Sequence, residues 1–579
     1  MKSKYLLIGL LFISCFSMLS QTYITNVTIA DVEKQELISN QTVEITNDII
    51  TNIRSHKKSK IPTGATVIDG NGKYLIPGLV DAHVHFFQSG GLYTRPDVID
   101  LRADMPYQKE LENNHKTMQE TMNRYLQNGI TTVIDVGASY NYLKQRDQYK
   151  NDSKALNVLM TGPLLTTYEP KVYQNLENEA PFSLVKSIED GRKMVQEQLP
   201  FNPDFIKIWY IASPNGETPE VGAKKYLPII KAIIDEAHKN NLKVAVHATE
   251  RITAQLAIEN GADFLVHSVD DELISDEFVQ LLKKNKTILC PTLIVMDGYK
   301  NSLNHQISFN EYELLISDPY QLGSLMDVKH ASDSLLINRY KSMASSEGFL
   351  ENSKKKNNTM MTNLKKLSDA GVLIATGTDA GNIGTLHASS YLKELLTMKQ
   401  SGMSNWQILE ASTINGAKVL NKENEFGSIS VGKKANLVLL NGNPIENLEN
   451  VIKIEKVFNN GNVIEPNSLV EDTPEVLAQR QLNAYNQRNI EAFLEPYAED
   501  VEVYNYPDQL QFKGKDNMRA GYKGMFENVA NLHCELKERI VQGNIVIDKE
   551  RVQFGERIIE AVAIYHIDNN KIKKVYFIN

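Results

Sequence analysis

The amino-acid sequence predicts an α/β fold whose largest part is a closed parallel barrel of eight strands, a (β/α)8 barrel. Apolar runs rich in β-forming residues alternate with stretches of helical periodicity, such as KKYLPIIKAIIDEAHKNN at 224–241. Several of these runs end in metal-binding side chains, and such a barrel gathers its active site at the carboxyl ends of its strands. The repeat and the placement of these side chains together predict a parallel, closed sheet.

Eight strands are predicted for the barrel. They are expected at 79–85, 129–137, 156–165, 203–210, 242–249, 263–268, 287–293 and 372–379. Between the last two, the segment 296–366 (the insertion) is too long for a simple connection. We expect it to overhang the carboxyl ends of the strands, either as a lid or substrate pocket or as a solvated surface excursion.

Candidate metal ligands follow five of the apolar runs. His83 and His85 in LVDAHVHF point to the same side, because side chains in a strand alternate between faces. Neutral imidazoles suit zinc and similar divalent ions. A single pair of this kind often arises by chance, so the prediction depends on four more candidates: Lys207 in FIKIW, His247 in VAVHA, His267 in FLVHS and Asp379 in ATGTDAG. The sequence predicts that all six side chains meet in one metal site.

These motifs resemble those of the amidohydrolase superfamily, in particular its imidazolonepropionase-like and prolidase-like members. The resemblance covers roughly 22–466 and includes LIPGLVDAHVHF at 75–86, GITTVIDVG at 129–137, GTDAG at 377–381 and GSISVGKKANLVLL at 427–440. It implies that His83, His85 and Asp379 hold one divalent metal ion. It also implies that His247 and His267 hold a second ion and that Lys207, carboxylated by carbon dioxide, bridges the two. We expect both ions to be zinc.

The neighbours of Lys207 favour a carbamate at this position. Phe205, Ile206, Ile208 and Trp209 flank it, so its ammonium form is poorly solvated and burial is expected to depress its pKa. A neutral amine reacts with carbon dioxide, and the resulting carbamate offers two oxygens to two metals. The alternative is a barrel lysine paired with a neighbouring acid.

The expected reaction is metal-assisted hydrolysis of a C–N bond, in an amide or a peptide, by activated water. Asp379 is assigned a catalytic role as well, because a carboxylate there accepts a proton from water and passes it to the leaving amine. A dipeptide or a cyclic or N-acyl amide is the expected substrate, and no substrate-binding residue is assigned. Two alternatives stay open: a lactonase or other ester hydrolase on the same metals, and a non-catalytic protein that binds a small ligand.

Two segments outside the barrel, 21–76 and 425–466, carry short β-type runs between turn residues. In the resembled superfamily such segments pack together as a composite β-sandwich, which leaves 77–424 for the barrel. The composition changes after about Glu465. From there, 471–579 resembles the SnoaL-like domain, a cone-shaped α+β fold, through an amphipathic helix pattern followed by strand-like runs.

Four polar residues of the SnoaL-like segment are candidates to line its cone: Asp500, Tyr504, His533 and His566. Because a fold does not imply catalysis, we expect this domain to serve in dimerisation or in binding a small apolar ligand. A homo-oligomer is therefore one expected assembly.

The first 20 residues have the pattern of an export signal. Lys2 and Lys4 precede an apolar run that ends near Leu19 and is too short to span a bilayer. We expect a periplasmic or secreted protein with no transmembrane segment after cleavage near Ser20, and a lipid anchor at Cys15 stays open as an alternative.

Net charge bears on the possible partners of the protein, and cysteine content bears on its disulfide bonds. The 579 residues are 42% hydrophobic and carry 62 basic and 71 acidic side chains, enough material for more than one domain. Loss of the two signal lysines leaves 60 basic residues and a net charge of −11, which argues against a nucleic-acid partner. The remaining cysteines, Cys290 and Cys534, lie in different predicted domains, so no disulfide framework is expected.

Overall fold

A computed structural model of the protein describes residues 21–213 and 216–578. The predicted export signal therefore lies outside the described residues. Within the described part of the chain, no helix is both long enough and apolar enough to cross a membrane.

Strands open the described chain, strands and helices alternate from about residue 79 to 290, helices dominate from 295 to 418, and β-structure dominates again after 496. The strands are β1 (Gln21–Asp31), β2 (Glu36–Thr46), β3 (Ile49–Ser55), β4 (Thr66–Asp69), β5 (Tyr74–Pro77), β6 (Leu79–Val84), β7 (Ile130–Asp135), β8 (Asn157–Met160), β9 (Leu164–Thr166), β10 (Phe182–Leu184), β11 (Phe205–Trp209), β12 (Lys243–His247), β13 (Phe264–Val266), β14 (Ile288–Cys290), β15 (Leu437–Leu440), β16 (Ile454–Asn459), β17 (Asn462–Ile464), β18 (Tyr497–Asn505), β19 (Gln509–Lys513), β20 (His533–Gln542), β21 (Ile545–Phe554), β22 (Arg557–Asp568) and β23 (Lys571–Ile578). The α-helices are α1 (Tyr107–Gln127), α2 (Tyr140–Tyr149), α3 (Ile188–Gln198), α4 (Pro219–Lys239), α5 (Arg251–Glu259), α6 (Asp276–Asn285), α7 (Val295–Leu303), α8 (Glu311–Ile316), α9 (Pro319–Met326), α10 (Ser334–Ala344), α11 (Glu347–Asp369), α12 (Tyr391–Gln400), α13 (Asn405–Ala411), α14 (Ile414–Lys418), α15 (Pro474–Asn486), α16 (Ile490–Leu494) and α17 (Lys515–Asn528).

One sheet joins two segments that are far apart in the sequence. Its strands run in the order β17-β16-β15-β5-β1-β2-β3, and β4 pairs with β1. Strand β5 lies parallel to β1 and antiparallel to β15, so the returning segment pairs with the first one. Buried side chains such as Ile24, Val43, Leu437 and Phe458 form a separate core on this sheet. The domain boundaries drawn from the sequence stay predictions.

Parallel strands in two further sheets confirm the expected α/β arrangement. The first sheet has the order β6-β7-β8 and the second β10-β9-β11-β12-β13-β14. Every residue of β6 is buried, as is typical of parallel strands covered on both faces. Helix α4 begins with Pro219, which suits the first helical turn, and buries Ile230, Ile233 and Ile234 along one stripe.

The predicted strands at 156–165 and 372–379 differ from the observed structure. The first is divided into β8 and β9, and the second forms isolated parallel bridges, from Ile374 to Leu289 and from Ala380 to Val84. The backbone of 373–380 still hydrogen-bonds to both sheets, since Ala375 N donates to Leu289 O and Ala82 N donates to Thr376 O. Asp379, near the end of this segment, has a φ of +56°, which lies outside the strand region.

The segment after residue 473 folds as an α+β unit. Its sheet has the order β19-β18-β23-β22-β21-β20, and helices α15, α16 and α17 accompany it. Helix α15 packs against α9 of the insertion, and one hydrophobic core contains Leu322 and Leu325 from the insertion together with Leu477 and Phe493 from the C-terminal unit. The two units therefore share buried apolar surface.

Replacing Leu325 tests how firmly this shared core docks. Leu325 is 0% exposed, and we expect Leu325→Ala to lower the free energy of unfolding by about 2–5 kcal/mol through lost contacts and a cavity. Urea unfolding measures the loss. Leu335 in α10 is 82% exposed and provides the control, because Leu335→Ala should change stability by less than about 0.5 kcal/mol. Equal losses in the two variants would contradict a docked insertion.

Candidate metal centre

Five of the six predicted ligands lie in or directly after parallel strands, and Asp379 lies in the irregular segment 373–380 that bonds to both sheets. His247 ends β12, His267 follows β13, and the backbone of Trp209 in β11 pairs with that of His247. A cavity of about 400 Å³ is lined by all six: His83, His85, Lys207, His247, His267 and Asp379. The structure brings the predicted set together, and the role of each residue as a ligand stays a prediction.

His83, His85 and Asp379 form a compact, buried group. Oδ1 of Asp379 lies 3.0 Å from His83 Nε2 and 3.2 Å from His85 Nε2, and the two nitrogens are 3.3 Å apart. One donor atom from each residue lies within 4.8 Å of the other two. Two imidazole nitrogens and one carboxylate oxygen are a donor set that binds zinc.

Hydrogen bonding in this group fits a cation. Nδ1 of His85 lies 3.0 Å from the carbonyl oxygen of Gly137, and donation to that oxygen leaves the Nε2 lone pair facing the cavity. Although Asp379 Oδ1 is close to both imidazoles, the contacts lack hydrogen-bond geometry, and this buried oxygen has no hydrogen-bond partner. A buried carboxylate oxygen without a partner is costly, and a bound cation satisfies it.

His247 and His267 lie on the other side of Asp379. Their ring centroids are 4.4 Å apart, and His267 Nε2 is 3.9 Å from Oδ2 of Asp379, the oxygen that faces away from His83. Nδ1 of His267 lies 2.6 Å from Thr292 Oγ1, which orients the ring. Burial, followed by the positive charge of neighbouring groups, lowers the pKa of both imidazoles well below the usual range. Both rings are therefore neutral near pH 7, which is the form that binds metals.

Lys207 is 1% exposed at the base of the cavity. Burial lowers its pKa to about 7, against the opposing effects of Asp379 and Cys290. A substantial fraction of the side chain is therefore the neutral amine near neutral pH, as the apolar flanks of this residue predict.

The backbone at the site adopts conformations that most residues avoid. His267, Thr292 and Asp379 have φ values of +77°, +48° and +56°. Each costs on the order of 1–3 kcal/mol and persists because the surrounding contacts determine it. Gly377 is required for a steric reason, because a Cβ atom there would lie 2.3 Å from Cys290 Sγ and 2.8 Å from His83 Cβ.

Two buried aspartates that the sequence analysis did not select support the ligands. Asp81 accepts hydrogen bonds from the backbone nitrogens of His83 and Thr378 and from Thr378 Oγ1, at 3.3, 3.0 and 2.7 Å. Asp135 accepts from the backbone nitrogens of Phe86 and Gly137. The sequence signal that could have identified them is their position in LVDAHVHF and VIDVG, beside the strand ends.

The wall opposite the ligands is largely apolar, and the insertion supplies much of it. The cavity is lined there by Phe87, Val98, Leu164, Phe182, Trp209, Met296, Leu303, Met343, Phe349 and Met360. Tyr299 of the insertion donates to Asn382 Oδ1, and Arg95 donates to both residues while also forming two bonds to Asp97. The structure therefore supports the interpretation of the insertion as part of a pocket, and not the interpretation as a solvated surface excursion.

His387 has a structural role. Its Nδ1 lies 2.8 Å from the hydroxyl oxygen of Tyr125, its Nε2 lies 2.8 Å from the carbonyl oxygen of Gln88, and its ring stacks on Phe86. Because both nitrogens are occupied, this buried imidazole holds Gln88 in place at the edge of the cavity.

The C-terminal unit has a second cavity, of about 300 Å³, but the four polar residues selected from the sequence are not among the described residues that line it. Asp500 pairs with Lys573, Tyr504 donates to Glu502, His533 faces Asp327, and the ring of His566 packs on Tyr576. These predictions were wrong because the strand register turns those side chains away from the cavity.

The lining of this cavity is aromatic with one acid. Tyr497 donates to Gln481, Gln481 donates to the hydroxyl of Tyr565, and Tyr565 donates to Glu550 Oε1. Burial first, and the charge of Asp548 second, raise the pKa of Glu550 to about 7.

Comparisons with known proteins agree with the motifs. The profile of the Amidohydrolase family matches residues 74–464, and that of the SnoaL-like domain matches 478–575. An imidazolonepropionase of Alkaliphilus metalliredigens is 23% identical over 469 residues, which are 75% of this chain and 92% of that protein. A 5-methylthioadenosine/S-adenosylhomocysteine deaminase of Syntrophomonas wolfei subsp. wolfei is 19% identical over 444 residues, which are 73% and 86% of the two chains.

A solved structure shows the same fold. The crystal structure of a Xaa-Pro dipeptidase with bound methionine in the active site superposes with a TM-score of 0.59 at 22% identity, covering 77% of this chain and 100% of that one. The resemblances stated from the motifs, including that to the SnoaL-like domain, are confirmed.

The raised pKa of Glu550 predicts that Glu550→Gln changes the free energy of unfolding by an amount that depends on pH. The pKa of Glu550 is raised from 4.5 to about 7 in the folded state, so burying this side chain costs no ionisation free energy below pH 4.5. Above pH 4.5 this cost to the free energy of unfolding grows until about pH 7. Glu550→Gln removes it while keeping an acceptor for Tyr565, so the variant should exceed the wild type by about 3 kcal/mol above pH 7 and by little below pH 5. Urea unfolding across this pH range measures the difference. Glu499→Gln, at a side chain 87% exposed, is the control, and a pH-independent effect of Glu550→Gln would contradict the assignment.

Proposed function

The chain belongs to the amidohydrolase family, and from this premise we propose that it is a hydrolase of C–N bonds that works with two divalent metal ions. The first ion is assigned to His83, His85 and Asp379, and the second to His247 and His267. Zinc is the proposed ion at both positions, because imidazole and carboxylate donors suit it.

The position of the Asp379 carboxylate supports this proposal most directly. One of its oxygens lies 3.0 Å from His83 Nε2, and the other lies 3.9 Å from His267 Nε2. The two groups of imidazoles thus meet at one side chain.

The chain's own residues would divide the chemistry between them. When bound, the metals would polarise the substrate carbonyl and lower the pKa of a water molecule. Asp379 would accept a proton from that water on one oxygen and deliver it to the leaving amine, which completes a general acid/base cycle. Asp81 holds the backbone on both sides of this carboxylate and so orients it.

We propose that Lys207 carries a carbamate. Its neutral amine attacks carbon dioxide, a C–N bond forms as one C=O π bond opens, and one proton leaves to solvent, so that a neutral amine becomes an anion with two oxygens. This change of charge suits a side chain that is 1% exposed and surrounded by sites for cations. The lowered pKa of Lys207 supports the same chemistry.

The proposed substrate is a small amide with an apolar group, either a dipeptide or a cyclic or N-acyl amide. A cavity of about 400 Å³ is large enough for a ligand of this size. Its apolar wall includes Phe182, Trp209 and Phe349, and its polar lining includes Arg95, Tyr299 and Asn382 in addition to the proposed metal ligands. The similarity in fold to a Xaa-Pro dipeptidase agrees with a peptide-like substrate.

We also propose that the parallel strands close into a barrel. The backbone of 373–380 bonds to β14 on one side and to β6 on the other, and Asp204 N donates to Met160 O between the two sheets. Export of the protein through its first 20 residues and assembly into a homo-oligomer are further proposals from the sequence.

A substrate screen with metal analysis tests the proposed function. Purified protein should contain divalent metal and hydrolyse members of a panel of dipeptides and N-acyl amino acids, lose this activity to a chelator and regain it with zinc. Lactones and aryl esters belong in the same panel. Turnover of lactones alone would favour the alternative hydrolase, and absence of all turnover in metal-loaded protein would contradict a hydrolase.

Replacing Lys207 tests the bridging role. Lys207→Ala should lower metal content and reduce kcat/KM at least about 100-fold, since even outer-shell partners of a metal are worth 10–100-fold. Short carboxylic acids such as acetate should restore part of the activity by supplying the missing oxygens.

Lys243 provides the matched control. It lies at the opposite end of the adjoining strand, where its Nζ donates to the carbonyls of Lys418 and Val419. Lys243→Ala should keep both metals and near-normal kinetics. Full activity of Lys207→Ala with both metals retained would remove Lys207 from the site.

A further inference from the structure

A second group of metal-binding side chains lies between the insertion and the C-terminal unit. Asp327 precedes the 3₁₀ turn Val328–His330 in the insertion and His330 ends it, so that three residues per turn place the two on one side. His533 and Glu535 lie two residues apart in β20, so their side chains leave the same face of the strand. Each unit therefore presents a pair of side chains to the other.

The distances bring these pairs within reach of one ion. His533 Nε2 is 2.8 Å from Asp327 Oδ1, and the rings of His330 and His533 stack with centroids 5.0 Å apart. One donor atom from each of Asp327, His330 and His533 lies within 4.8 Å of the others. The fourth residue, Glu535, places Oε2 at 3.6 Å from His330 Nδ1.

Two donor atoms of this group are buried without a hydrogen bond. They are His330 Nε2 and Glu535 Oε2. The side chains of His330, His533 and Glu535 are 21%, 8% and 12% exposed, so water has little access to them. An unpaired buried carboxylate oxygen is costly, and a cation between Glu535 Oε2 and the neighbouring imidazoles satisfies it.

Neighbouring basic residues leave these atoms available. Lys537 bonds to Glu535 Oε1 at 2.8 Å, so the second carboxylate oxygen stays directed toward His330. Arg551 is 3.6 Å from that oxygen, too far for a hydrogen bond.

We propose that Asp327, His330, His533 and Glu535 bind a divalent transition-metal ion, with zinc as the fitting ion, and that this ion clamps the insertion to the C-terminal unit. Two imidazoles and two carboxylates form a four-donor set of nitrogen and oxygen ligands that zinc accepts. The site shares no residue with the candidate metal centre. Since each unit supplies half of the donors, binding the ion favours the docked arrangement.

Metal analysis of variants tests the site. Wild-type protein, His330→Asn/His533→Gln and a control variant are each equilibrated with zinc, freed of excess ion, and measured by elemental mass spectrometry. The control is Asn483→Ala, which removes a hydrogen bond to Pro319 O at the same junction but no metal donor. The double variant should hold one zinc ion fewer per chain than the wild type, and the control should match the wild type. Equal zinc content in all three proteins would overturn the proposal.

A measurement on the unaltered chain covers the case in which the double variant does not fold. Chelator-treated wild-type protein is modified with diethylpyrocarbonate, with and without added zinc, and the modified histidines are located by peptide mass spectrometry. At zinc concentrations about tenfold above Kd, modification of His330 should fall about tenfold. His56, in the 3₁₀ turn that follows β3, belongs to neither half of the proposed site, should react equally in both samples and serves as the reference. Equal modification of His330 with and without zinc would overturn the site.

Discussion

The placement of one carboxylate, that of Asp379, is the constraint on which the rest of the candidate centre depends. It lies between the imidazoles of His83 and His85 on one side and His267 on the other, with no hydrogen bond to its Oδ1. Its backbone belongs to 373–380, which bonds to both parallel sheets, so the position of this side chain and the joining of the sheets are set together. Asp81 reinforces this arrangement, because its carboxylate binds the backbone beside His83 and beside Asp379.

The candidate centre also shows that the fold tolerates residues whose backbone strain or burial costs free energy. Three residues in the left-handed region, His267, Thr292 and Asp379, each cost on the order of 1–3 kcal/mol. Neutral imidazoles and a buried lysine cost further desolvation. Surrounding strands are short, parallel and almost wholly buried, so their packing holds these residues in place. A metal ion would recover part of the cost by binding the unpaired oxygen and nitrogens.

The insertion contacts both the cavity of the candidate metal centre and the C-terminal unit. One part of it, including Tyr299, Met343 and Phe349, forms the wall of the cavity, and another part packs its leucines into the core of the C-terminal unit. The C-terminal unit is therefore in contact with the segment that shapes the cavity. This arrangement gives the SnoaL-like unit a route to affect the cavity without contributing a residue to the candidate metal centre.

The sequence by itself determined the α/β class, the positions of most parallel strands and the six residues that line the metal cavity. Those features are local: a strand is visible as an apolar run, and a ligand at its end follows directly in the sequence. The tertiary structure alone decided the supporting contacts, because Asp81 and Thr378 are separated by 297 positions. It also decided the irregular form of the predicted eighth strand, where bridging to two sheets replaces regular pairing. In the cone, Asp500, Tyr504 and His566 had suitable chemistry, but strand register directs Glu550 and Tyr565 into the cavity instead. Register depends on pairing between distant strands, and a one-residue shift exchanges the two faces of a strand.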